Sequence, residues 1–254
     1  MTPETAFRLF TTPRLQEPSE AERALAATAE TARVPFRDGT LATYGWGSGP
    51  VVLLVHGWCG RATQFQALVP PLVAAGYRAV AFDAPAHGAS DGKHATVTDF
   101  GDAVLAVADH VGPVKTLVGH SMGSPAALYA FARGLTVDRS VHVSGVASLV
   151  WAVRRLGIAL GLPRDELPAL RALIEDFIKA PLESMDLTVL RPGLRHPALL
   201  MHDPADPEVP YGDSEALLGH WPQAVLQPLA DAGHTRILRD PRAIAAAMDF
   251  LKLE

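Results

Sequence analysis

Short, mostly apolar runs recur along the chain, each separated from the next by a segment of helix length. The runs lie at 51–55, 78–82, 115–118, 140–143, 198–201 and 224–227, and the segments between them at 62–75, 99–111, 122–133 and 213–220. A strand that is apolar throughout, not at alternate positions, needs a cover on both faces of its sheet. Strand–helix alternation with short links supplies that cover. It predicts an α/β fold built on a doubly wound, mostly parallel sheet.

The rhythm breaks in two places. Between residues 147 and 196 two amphipathic helical patterns, at 149–160 and 165–179, follow one another with no strand between them. This stretch reads as a small helical cap inserted into one domain, because the alternation resumes after it. Before the first apolar run, residues 19–32 read as an Ala-rich helix opened by a Ser19/Glu22 capping box. Past Pro35 and the Asp38-Gly39 turn, 40–46 alternates like a half-buried strand, and Gly47-Ser48-Gly49-Pro50 breaks the chain. The last helix has Asp240 as N-cap and Pro241 in its first turn. The expected organisation is a single domain over 1–254, with its core at about 35–146 and 197–254. The cap spans about 147–196 and a helical N-terminal extension about 1–34.

Composition narrows the partners. Across 254 residues, 22 Lys and Arg face 27 Asp and Glu, a net charge of −5 with no basic run. Phosphate binding needs clustered cations, so a nucleic-acid or anionic-membrane partner is not expected. A single Cys excludes a disulfide framework and a thiolate metal site. The longest aliphatic run, 51–55, is far short of the roughly 20 residues that a spanning helix needs. Met1-Thr-Pro-Glu opens without a basic and apolar leader, and the expected location is the cytoplasm. Oligomeric state, monomer or homodimer, is open at this level.

The chemistry concentrates at Gly119-His120-Ser121-Met122-Gly123, between the run at 115–118 and the helix that follows. A nucleophilic Ser here must sit on a tight strand-to-helix turn with its hydroxyl above the sheet. Flanking Gly gives the turn room, and the helix N-terminus stabilises developing negative charge. A Ser hydroxyl is a weak nucleophile without a base, and the base needs an orienting acid. On such a sheet the acid follows the Ser at the end of a later strand, and the His comes last. His202-Asp203-Pro204-Ala205-Asp206-Pro207-Glu208-Val209-Pro210 offers the acid, as Asp206 with Asp203 its competitor. Asp231-Ala232-Gly233-His234 offers the base, His234, with Asp231 read as a turn residue.

With these residues in place the chain resembles the α/β-hydrolase superfamily, in its serine, esterase-like branch. Four blocks carry the resemblance: His56-Gly57-Trp58-Cys59-Gly60, Asp83-Ala84-Pro85-Ala86-His87-Gly88-Ala89-Ser90, the Ser121 turn, and the acid and His loops. It covers the chain from about Thr40 onward. It implies Asp206 as the acid preceding Val-Pro, and an oxyanion hole from the backbone N–H groups of Trp58 and Met122. It also implies that His56 and His87 brace the loop carrying Trp58, and that 147–196 lies over the site. Ser at the nucleophile position sets aside the family's haloalkane dehalogenases and epoxide hydrolases, which use a carboxylate there. Carboxylesterase on small to medium apolar acyl esters is the first expectation. Thioesterase, lactonase, C–C hydrolase and perhydrolase remain as alternatives, with a slow hydrolase-like small-ligand receptor as the non-enzymatic one. No cofactor and no metal are implied.

Other conspicuous residues have plainer readings. His120 is expected to project away from the nucleophile. His196, His202 and His220 lack the spacing of a metal site. Cys59 reads as a small packing residue. Leu149, Trp151, Leu156, Leu160, Leu167, Leu170, Leu173 and Phe177 form apolar stripes that pack the cap, with Trp58 and Trp151 the candidates for substrate contact. Arg154 and Arg155 read as solvated charges or as an anchor for an acidic substrate.

Overall fold

A computed structural model describes residues 1–252. Its strands are β1 (Glu30–Phe36), β2 (Gly39–Trp46), β3 (Val51–Val55), β4 (Arg78–Phe82), β5 (Val114–His120), β6 (Arg139–Val143), β7 (Ala198–His202) and β8 (Ala224–Pro228). They form one sheet in the order β1-β2-β4-β3-β5-β6-β7-β8. From β4 to β8 every neighbouring pair is parallel, while β2 runs antiparallel to both β1 and β4.

The solid apolar runs have the cause expected of them. In β3, Val51, Leu53 and Val55 face one buried cluster, while Val52 and Leu54 face another. The first cluster lies under α4 (Val97–Val111) and α5 (Gly123–Ala132) and takes in Phe100, Val104 and Leu128. The second lies under α3 (Val69–Ala74) and α10 (Pro241–Leu251) and takes in Leu72, Ala243 and Leu251. Two cores, one on each face, are what a doubly wound sheet requires.

The N-terminal region departs from the sequence reading. An unexpected helix, α1 (Pro3–Thr11), opens the chain, capped by the Thr2 hydroxyl. The second helix, α2 (Glu20–Ala27), has the predicted Ser19/Glu22 capping box but ends well before residue 32. Residues from Glu30 onward pair with β2 as an edge strand, so the sheet starts at Glu30 and not at Thr40, where the sequence pattern places the first strand. Only Val34 of β1 is buried, so no alternating pattern marks it, and the edge position tolerates Pro35. The single helix expected over 62–75 is also two pieces, a 3-10 turn (Ala62–Phe65) and then α3. Pro70 and Pro71 lack the N–H groups that would bond back across the break.

Between β6 and β7 the chain is helical, as expected: α6 (Leu149–Ala159), α7 (Leu167–Ile178) and the short α8 (Leu187–Leu190). Val153 of α6 and Leu170 and Ile174 of α7 are buried. Helix α1 joins this layer, with the Phe7 ring edge-on to Phe177 of α7 at 5.5 Å. Helix α9 (Tyr211–His220) follows β7, and its Asp213 receives Arg155 of α6 at 3.0 Å. Arg155 is thereby an anchor between helical layer and core, not a free substrate ligand. Arg154 lies over the Trp151 ring at 5.2 Å.

Candidate active site

The site begins with a strained turn. Ser121 follows directly on β5 and has φ +50°, a conformation that costs a non-glycine residue energy and persists only when its surroundings enforce it. They do so through contacts too close for any side chain. A Cβ on Gly123 would stand 2.2 Å from the Val55 carbonyl oxygen, and one on Gly119 would stand 2.8 Å from the Gly123 carbonyl oxygen. The Ser121 N–H donates to the Val143 carbonyl at 2.9 Å, tying the turn to β6. The half-buried Ser121 hydroxyl lies at the C-terminal end of the parallel strands, where the loops after β3, β7 and β8 also converge.

Two of those loops bring the candidate acid and base. Ser121 Oγ lies 3.0 Å from His234 Nε2, and His234 Nδ1 lies 2.7 Å from Asp206 Oδ2. The order Ser121–His234–Asp206 is thus a continuous hydrogen-bonded line. Nδ1–H donates to the carboxylate, which leaves Nε2 free to accept the Ser121 proton. Burial pushes the Asp206 carboxyl upward. Donors from His202, His234 and the N–H groups of Val209 and Glu208 outweigh that and hold it well below the usual carboxylate range. Asp206 therefore stays ionised opposite the imidazole.

Geometry separates Asp206 from its competitors. Asp203 Oδ1 accepts the N–H of Ala205 at 2.9 Å and its Oδ2 that of Gly233 at 2.6 Å, so it clamps the acid loop to the His loop. Asp231 takes a left-handed conformation, φ +62°, on the turn before His234, as its turn reading requires.

The loop after β3 lies against the nucleophile. A Cβ on Gly57 would stand 2.9 Å from Ser121 Cβ. Among the described residues, neither the Trp58 N–H nor the Met122 N–H has a hydrogen-bond acceptor. Two half-buried residues beside Ser121 thus keep N–H donors without acceptors of their own, which suits them as a candidate oxyanion hole. The two bracing imidazoles behave as the sequence implied. His56 Nδ1–H donates to Gly57 O at 2.7 Å while its Nε2 accepts the Ala84 N–H at 2.9 Å. His87 Nε2 accepts the Cys59 N–H at 3.2 Å while its Nδ1–H donates to Pro85 O at 2.9 Å. Burial keeps both neutral, lowering His56 to about 4 and His87 to about 3. Cys59 itself, at φ +57°, is half-buried, and burial raises its thiol.

His120 is placed differently from the sequence expectation. Its ring does not project away but lies against that of His234, centroids 5.0 Å apart, with Nε2–H donating to the His234 carbonyl at 3.0 Å. Gln64 Nε2 sits 3.3 Å from its Nδ1. Burial and the neighbouring His234 lower His120 to about 3, so it is a neutral support under the His234 ring. Sequence reasoning also missed His202, which reaches Asp206, and Glu208, an exposed carboxylate 3.9 Å from His234 Nε2. The one local signal was the spacing of His202 four residues before Asp206.

Trp58 is half-buried, edge-on to His87 at 5.0 Å and tilted to Phe100 at 6.3 Å. Trp151 is 54% exposed and shares no ring contact or hydrogen bond with Trp58, Ser121, Asp206 or His234 among the described residues. A polar cleft of about 320 Å³ adjoins the site, lined among others by Gln16, Cys59, Arg61, Gln64, Thr235 and Arg239. No group of three or more His, Cys, Asp or Glu among the described residues is placed to hold a metal ion. No described helix is long and apolar enough to cross a membrane.

Comparison with known proteins agrees with this architecture. Residues 52–247 match the family model described as alpha/beta hydrolase family. A pyrethroid hydrolase from Sphingobium wenxiniae is 37% identical over 75 residues, which are 28% of this chain and 27% of that protein. Epoxide hydrolase B from Mycobacterium tuberculosis is 34% identical over 120 residues, 45% of this chain and 32% of that protein. The chain thus spans about a third or less of the length of these two curated relatives. Among solved structures, an esterase from Pyrococcus furiosus superposes with a TM-score of 0.73 at 20% identity, covering 94% of this chain and 98% of that one.

Proposed function

The chain belongs to the alpha/beta hydrolase family, and on that premise we propose that it is a serine carboxylesterase acting on small to medium apolar acyl esters. The observation that carries the reading is the line from Ser121 Oγ through His234 Nε2 and Nδ1 to Asp206, at 3.0 and 2.7 Å. In the proposed reaction Ser121 Oγ attacks the acyl carbon while His234 Nε2 takes the hydroxyl proton. The N–H groups of Trp58 and Met122 hold the oxyanion of the tetrahedral intermediate. His234 then returns the proton to the leaving alcohol, and water, activated the same way, releases the acyl group. Asp206 keeps the imidazole in the productive tautomer and stabilises its charged form. No step needs a cofactor. Residues 147–196 serve as a cap on the single domain, with Trp58 on the wall that meets the acyl group. A cytoplasmic setting, in keeping with the lone Cys59, belongs to the same proposal.

The epoxide hydrolase relative does not redirect this reading. Ser121 offers an alkoxide that forms an acyl ester, whereas a carboxylate at that position would form an alkyl ester. The test is an acyl-chain-length panel of chromogenic esters and matched thioesters, run beside Ser121→Ala. Multiple turnover on short and medium esters that vanishes in the variant is the expected result. Faster turnover of thioesters would replace the ester reading. A single turnover followed by a stall would favour a small-ligand receptor. A fluorophosphonate should label the wild type once, on Ser121, and label Ser121→Ala not at all.

A further inference from the structure

Asp206 receives two imidazoles, and the proposed mechanism uses only one of them. His202 closes β7, is fully buried, and places Nε2 3.3 Å from Asp206 Oδ2 and 3.0 Å from the Val209 carbonyl. Both neighbours of Nε2 are acceptors, an ionised carboxylate and a carbonyl, so the proton resides on Nε2. The other nitrogen, Nδ1, lies 2.7 Å from the hydroxyl of Ser214, a buried residue of α9 that can donate to it. Tyr211 packs edge-on against the ring at 5.7 Å. The ring is therefore fixed in both tautomer and orientation.

We infer that His202 is a positioning residue for the triad carboxylate, an inference that rests on the proposed serine-hydrolase reading. Asp206 Oδ1 is held by the N–H groups of Glu208 at 2.8 Å and Val209 at 3.0 Å. Among the described residues, Oδ2 has only His234 and His202 within reach. His234 must change charge and shift during turnover, so it is a poor permanent anchor for the oxygen it depends on. His202 supplies the anchor that does not move. It also braces the turn from within, since Val209 gives its N–H to Asp206 and takes the His202 N–H on its carbonyl. A core histidine satisfied only by the Ser214 hydroxyl and the Val209 carbonyl would stabilise the fold equally well without the contact to Oδ2. That difference makes the inference testable.

The experiment compares His202→Leu, which removes the donor, with His202→Gln, whose side-chain Nε2 can restore it, each in the full chain. Wild type, both variants and Ser214→Ala are measured for kcat and KM on the best ester and for the rate of fluorophosphonate labelling. Loss of this 3.3 Å polar contact with the ionised carboxylate predicts a fall of about tenfold to a hundredfold in kcat and in labelling rate for His202→Leu, with KM within about twofold. His202→Gln should recover most of that loss. Ser214→Ala, which leaves the ring free to turn, should fall between wild type and His202→Leu. Unchanged kcat in His202→Leu overturns the inference, as do equal losses in both His202 variants. If His202→Leu does not fold, a His202→Gln with wild-type thermal stability but no better than one-hundredth of wild-type labelling overturns it. If the wild type labels but turns over no ester, the substrate reading fails while the labelling rates still decide the role of His202. If the wild type does not label, the triad reading and this inference fail together.

Discussion

Asp206 shows how much of a site depends on where one carboxylate is held. Its side chain is fully buried, faces four N–H groups across its two oxygens, and stays ionised because they outweigh the cost of burial. Asp203, three residues earlier, is also buried and also accepts two N–H groups, but from backbone alone. Residue type does not separate the two aspartates; the Val-Pro that follows favours Asp206, and their partners assign them different work. Asp206→Asn should lower kcat by about ten-thousandfold with the protein folded, because an amide opposite Nδ1 favours the wrong imidazole tautomer. Asp203→Asn should lower thermal stability and cost far less in rate, about tenfold or under, since one carbonyl oxygen can still accept the Gly233 N–H. Steady-state kinetics and thermal melts on both variants check this pair. Reversed rates would give the acid role to Asp203.

At the scale of elements, the turn between β5 and α5 does the decisive work, and its glycines are there for want of space. Gly123 lies with its Cα against the Val55 carbonyl, a backbone group that cannot swing aside as a side chain would. Gly123→Ala should force the start of α5 away from the end of β3 and cost about 2 kcal/mol or more. It should also move Ser121 enough to slow fluorophosphonate labelling by at least about a hundredfold. Labelling rate and melting temperature are the readouts. A variant that melts and labels like wild type would show that the turn is not strained by contact. The elements also show what could be read locally. The central strands lie where their apolar runs stand, because two covered faces leave no other composition possible. β1 escaped because an edge strand with one buried residue carries no period, and Ala-rich sequence on its N-terminal side reads as continued helix. α1 escaped although Thr2 and Pro3 announce it, because nine residues are too few to stand out without the partner helix α7 that they pack on.

At the scale of the whole molecule, the buried histidines set a limit in acid. Burial is the main cause in each case, lowering His56 to about 4 and His87, His120 and His142 to about 3. In the unfolded chain such rings take up protons near pH 6.5. Below that pH the unfolded state binds protons that the folded state refuses, so stability falls as pH falls, until the folded values are reached. Each ring contributes about 1.4 kcal/mol per pH unit within that window. Asp83 and Asp186, raised by burial, work the opposite way, but they are two groups against these four rings and His196, which burial also lowers to about 4. The melting temperature should be flat from pH 7 to 8 and drop steeply below pH 6, with cooperative loss of structure between about pH 4 and 5.5. Calorimetry across pH 4 to 8 checks it, and a melting temperature unchanged down to pH 4 would mean that these rings are charged or solvated in the native state.

The sequence by itself determined the fold class, the strained turn at Ser121, and the loops that bear His234 and the two candidate aspartates. Each of these is written in local patterns: runs that need two covers, glycines where no Cβ fits, and strand ends in a fixed order. The resemblance already favoured Asp206 over Asp203, and the tertiary structure set Asp206 against the imidazole while turning Asp203 to backbone N–H groups. The tertiary structure alone set His120 beneath His234, brought His202 to Asp206, and tied Arg155 to Asp213. These are contacts between side chains that converge only when strands and loops distant in sequence fold onto one sheet edge. Residue type and spacing state what a group can do, but hydrogen bonding and burial depend on which neighbours arrive, and those are settled by the packing of the entire chain.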